Sequence, residues 1–74
     1  MCGIVGYVGG ERSAQQVLVE SLRRLEYRGY DSSGLAVWSG SELRVCRAVG
    51  KLSALDQKLR GQPLAGHVGI GHTR

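Results

Sequence analysis

Cys2 stands beside the initiator methionine, and that position gives it a chemistry a mid-chain cysteine lacks. Small second residues permit removal of Met1. The new first residue then carries a thiol and a free α-amine. A terminal amine titrates at about 7.7–8.0 and a free thiol at about 8.5. The neutral amine can take the thiol proton through a bridging water and turn the thiol into a nucleophile near neutral pH. The competing reading is a small apolar residue opening a strand, the commoner role of a free cysteine. Gly3 beside it allows a substrate to approach the backbone closely.

The other chemistry-bearing residues have plainer alternatives. Cys46 falls mid-strand with no partner at metal-ligand spacing and reads as a filler; nothing supports a bridge to Cys2. Arg28 ends a helical pattern, so it is either a cation at a helix C-terminus or a charged prop at the mouth of a site. Asp31 either caps its own turn or pairs with an arginine. His67 and His72 lie five positions apart on one expected strand, hence on opposite faces, which argues against a shared metal and for ordinary hydrogen-bonded histidines. Arg74 is either a solvated charge or a fork for a carboxylate, a role that suits a planar guanidinium.

Six elements must position these residues. Cys2–Val8 reads as a strand rich in β-branched residues, stopped by Gly9-Gly10. Ser13 to Arg28 reads as a helix. Ser13 and Gln16 have capping-box spacing, and Ala14, Val17, Leu18, Leu22 and Leu25 share one face. Tyr30 to Gly34 has turn chemistry. Leu35–Trp38 and Leu43–Cys46 form a hairpin around Ser39–Glu42. Ser53 is the expected cap of a second helix carrying Leu52, Leu55 and Leu59, which Gly61-Gln62-Pro63 ends. His67–Arg74 is the last strand. The order β-α-β-β-α-β implies two-layer packing. A chain stopping straight after a strand is expected to leave a bare sheet edge, which hints at truncation.

Composition bounds the function. The chain has 74 residues, a net charge of +4 and only two cysteines. A chain of that length buries roughly 60–65% of its unfolded surface, so its core is thin. The cysteine count favours a reducing compartment. There is no apolar run long enough for a membrane span and no secretory signal pattern. The ten basic residues are scattered, with no run longer than Arg23-Arg24, so a nucleic-acid surface is not indicated. No Walker A or GxGxxG pattern occurs.

Taken together, Met1-Cys2-Gly3-Ile4-Val5-Gly6 resembles the opening of the class II (N-terminal nucleophile) glutamine amidotransferases. The segment Leu25-Glu26-Tyr27-Arg28-Gly29-Tyr30-Asp31-Ser32-Ser33-Gly34 is more specific. It resembles the branch of that family whose ammonia goes to a sugar-isomerase domain acting on fructose 6-phosphate. Gly71-His72-Thr73-Arg74 fits the same branch, so the resemblance runs from Met1 to Arg74.

The resemblance implies an α+β fold, the N-terminal part of a four-layer α-β-β-α (Ntn-hydrolase) sandwich with largely antiparallel sheets. Residues 1–74 would form the N-terminal portion of a glutaminase domain. Cys2 would be the catalytic nucleophile on glutamine, Arg74 the holder of the substrate α-carboxylate, and Arg28 a supporting residue. No metal or organic cofactor is implied. The implied setting is a cytoplasmic homodimer with no nucleic-acid or membrane partner. The family's Trp-Ala-Thr-His-Gly continuation, its Asn-Gly oxyanion pair and its Asp for the substrate amine do not occur in these 74 residues. Another class II member, such as an asparagine synthetase, and a small non-catalytic α/β binding module are the alternatives.

Overall fold

The computed structural model describes residues 3–26, 29 and 31–74. It contains β1 (Gly3–Val8), α1 (Ala14–Leu25), β2 (Ser32–Trp38), β3 (Leu43–Val49), α2 (Leu52–Gly61) and β4 (Val68–Thr73). This is the expected order of elements. The four strands make one sheet in the order β1-β4-β2-β3, with every neighbouring pair antiparallel.

Local chemistry explains the helix limits. The Ser13 hydroxyl accepts a hydrogen bond from Gln16 N at 3.2 Å, so α1 begins where its sequence says it should. The helix ends at Leu25 rather than at Arg28, because Glu26 N turns back to Arg23 O in a tightened last turn. Gly29 accepts the bond geometry that follows, with φ at 76° and its N–H on Glu26 O at 3.1 Å. In α2 the N-cap is Lys51, which makes no side-chain cap bond, and Ser53 lies inside the first turn. Leu52 is 1% exposed, and burying it requires the helix to start there, ahead of the serine.

β2 and β3 are both longer than the sequence suggests. Ser32, Ser33 and Gly34 are strand residues rather than a turn. Ser33 and Gly34 pair with Thr73 and His72 of β4 on one side and with Ala48 and Arg47 of β3 on the other. Ladder bonds on both sides outweigh the turn preference of these residue types. The hairpin turn is as expected, with Ser39 N bonded to Glu42 O at 3.0 Å and Gly40 at φ 102°.

The expectation of a bare edge at the last strand is corrected by the topology. β4 lies inside the sheet, paired to both β1 and β2, and the edges are β1 and β3. What the described residues leave open is a face. Both helices cover the same side, α1 over β1 and β4 and α2 over β3. Leu18, Leu22, Leu35, Val37, Leu52, Leu55 and Leu59 form the core between the layers. A Cβ at Gly69 would lie 2.7 Å from Ala36 O and 3.1 Å from Leu18, so glycine there lets α1 press onto β4. The opposite face carries cross-strand rows Val8–Val68–Trp38–Leu43 and Gly6–Ile70–Ala36–Val45. Ile4 and Val8 are 82% and 83% exposed on it.

No described helix is long and apolar enough to cross a membrane.

Candidate active site

Cys2 and Arg28 lie outside the described residues. The described residues that flank them converge on one end of the sheet. Cys2 is bonded to Gly3, whose register partner is Thr73. Thr73 is bonded in turn to Arg74. The connection that carries Arg28 leaves α1 at Leu25 and enters β2 at Ser32. Leu25 packs at Gly3, where an added Cβ would come within 2.9 Å of Leu25 Cδ1 and 3.2 Å of Thr73 Oγ1. Gly3 therefore admits the end of α1 onto the start of β1, a packing role beside the substrate access read from the sequence.

Arg74 is anchored through its backbone. Its N–H donates to Ser32 O at 2.8 Å, and its carbonyl accepts from Ser32 N at 3.1 Å and from Asp31 N. Its side chain is exposed, and alternation along β4 puts it on the same face as His72. A guanidinium rooted in a fixed backbone and presented to solvent is suited to gripping a carboxylate. Asp31 ties the end of the sheet together by another route, its carbonyl accepting from Gly50 N at 2.8 Å. Among the described residues no ion pair joins its carboxylate to an arginine.

Beneath this end of the sheet, on the helix-covered face, Thr73 and Ser33 are buried side by side in register. Ser33 Oγ has no hydrogen-bond partner. The sequence drew attention to neither hydroxyl, and a serine inside turn-like composition offers no signal for burial.

The remaining candidates separate. Cys46 is a free thiol, half-buried and packed against the core. His67 Nδ1 lies 3.0 Å from Arg12 O, before β4 begins, while His72 is half-buried within β4 on the open face. The two do not meet, and no metal-binding group of His, Cys, Asp and Glu occurs among the described residues. The basic residues are dispersed, with exposed pairs Arg12–Glu20 at 2.7 Å, Arg23–Asp56 at 3.0 Å and Arg44–Glu42 at 2.8 Å.

No family model matches the chain. Curated proteins do. The chain is 61% identical over 74 residues to the glutamine–fructose-6-phosphate aminotransferase [isomerizing] of Thermus thermophilus, with all of this chain and 12% of that protein covered. The enzymes of the same name from Bradyrhizobium diazoefficiens and Clostridium acetobutylicum are 58% and 51% identical over 74 residues, again covering 100% of this chain and 12% of theirs. The chain thus spans about an eighth of the length of these relatives, 12% in each case. Its α+β architecture, with four antiparallel strands and two helices, is compatible with the N-terminal part of an Ntn-hydrolase sandwich. The chain is a homologue, along its whole length, of the glutamine–fructose-6-phosphate aminotransferases.

Proposed function

We propose that residues 1–74 are the N-terminal portion of a glutaminase domain that releases ammonia from glutamine. In the whole enzyme this ammonia serves the conversion of fructose 6-phosphate to glucosamine 6-phosphate. The carrying observation is the convergence, at one end of one sheet, of Gly3, Arg74 and both ends of the connection from Leu25 to Ser32.

In this reading Met1 is removed and Cys2 passes its thiol proton, through a water, to its own α-amine. The sulfur bonds to the side-chain amide carbon of glutamine, and the carbonyl electron pair moves onto oxygen. When the carbonyl re-forms, the C–N bond breaks, and the α-ammonium returns its proton to the departing nitrogen as ammonia leaves. Water adds to the thioester, the amine takes its proton, and cleavage of the C–S bond gives glutamate and the free thiol. Arg74 holds the α-carboxylate of glutamine and Arg28 supports the site. Oxyanion donors and the partner of the substrate amine come from chain beyond residue 74, as does a second sheet on the open apolar face. The working form is a cytoplasmic homodimer without a nucleic-acid or membrane partner.

The test is Cys2→Ala in the full-length enzyme. Glutamine-dependent ammonia release is expected to vanish while the sugar-isomerase domain keeps binding fructose 6-phosphate. Substantial glutaminase activity in the variant excludes Cys2 as the nucleophile.

A further inference from the structure

One cross-strand row, Ile4–His72–Gly34–Arg47, lies on the open face beside the Arg74–Ser32 pair. Its glycine has no backbone reason to be glycine. Gly34 is in mid-strand and is not among the residues with positive φ. A strand interior is where glycine weakens a sheet. The reason lies above it. A Cβ at Gly34 would come within 2.7 Å of His72 Nε2 and 2.8 Å of Arg47 Cγ. The imidazole from β4 and the arginine stem from β3 both lean over the bare backbone of Gly34, which is buried.

We propose that His72 is a positioning residue of the glutamine site and that Gly34 provides its berth. This rests on the glutaminase reading. His72 and Arg74 project from the same face of β4, two residues and about 7 Å apart. In this proposal the ring, laid over Gly34, leaves the amino-acid part of the substrate to lie beside it next to Arg74. A methyl at position 34 lies inside contact distance of the ring and must push it off the berth. His72 exchanges no proton in this role. It works by where it lies.

The experiment compares full-length wild type, Gly34→Ala, His72→Asn, His72→Ala and the double variant Gly34→Ala/His72→Ala, by glutamine KM, kcat and the pH profile of kcat. Gly34→Ala is expected to raise KM about tenfold, with a smaller change in kcat, since a misplacement of about 1 Å costs up to about 10²-fold. His72→Asn is expected to raise KM several-fold and leave the pH profile unchanged. With the ring removed, an alanine at 34 has nothing to displace, so the double variant should have the KM of His72→Ala alone. Wild-type KM in Gly34→Ala, or a double variant with a KM clearly above that of His72→Ala, overturns the proposal. So does a shifted pH profile in His72→Asn, which would make the ring a proton-transfer group. Where Gly34→Ala does not fold, wild-type KM in His72→Asn overturns it. A wild-type protein that releases no ammonia from glutamine refutes the glutaminase reading itself, a result distinct from all of these.

Discussion

Arg74→Lys separates substrate binding from chemistry more cleanly than any other substitution at this site. The backbone of residue 74 is pinned by the 2.8 Å and 3.1 Å bonds to Ser32 and by the bond from Asp31 N, all of which a lysine retains. The side chain is exposed, so stability should change by no more than about 0.5 kcal/mol. The guanidinium grips a carboxylate with two parallel N–H bonds, and a lysine replaces that fork with a point charge. Loss of one charge-assisted bond costs about 1.5–3 kcal/mol. At about 1.4 kcal/mol per tenfold, the glutamine KM should rise by about 10- to 100-fold. Turnover should fall much less, because the α-carboxylate is remote from the amide carbon and its charge does not change during attack. Steady-state ammonia release in the full-length enzyme reads both constants. An unchanged KM refutes the reasoning and leaves Arg74 a purely structural end to β4. A fall in kcat at unchanged KM refutes it differently, since the arginine would then act on the transition state.

Three further outcomes are expected. Intact mass of the active full-length protein should show the loss of one methionine, and activity with Met1 retained would falsify the amine-as-base mechanism. Ser33→Ala should be neutral or stabilising by about 1 kcal/mol in denaturant unfolding of the complete glutaminase domain, because it removes a buried hydroxyl with no partner; a loss above about 1 kcal/mol means the hydroxyl finds a partner in the completed domain. The 74 residues alone should release no ammonia from glutamine, since loss of even one oxyanion donor costs about 10²–10³ in turnover; a rate comparable to that of the complete domain contradicts the reading of this stretch as part of a larger site.

The helices were legible because their signals are local. Ser13 with Gln16, and Leu18 with Leu22, carry capping and facing within one or two turns. The sheet order was not legible, because pairing β4 between β1 and β2 is decided by contacts 30 to 70 positions apart in sequence. Ser32-Ser33-Gly34 looked like a turn for the same reason: nothing local announces two flanking strands. Ser53 looked like a cap because the pull of Leu52 into the core is a tertiary effect. The open apolar face does have a sequence correlate. Strands such as Ile4-Val5 and Val37-Trp38 are apolar at consecutive positions, the pattern of a sheet covered on both sides. Of the site, the place of Arg74 at the end of the last strand was legible, but the close approach of His72 to Gly34 was hidden. Its glycine answers to a ring on another strand.

The place of β4 in the sheet sets a timetable for synthesis. Among the described strands β1 pairs with β4 alone, and Val68 leaves the ribosome 60 residues after Val8. At about 5–20 residues per second the amino-terminal strand waits roughly 3–12 s before its ladder can close. During that interval Gly3–Val8 lacks its ladder partner. On the proposed removal of Met1, the late arrival of β4 leaves Gly3–Val8 unpaired while that removal takes place.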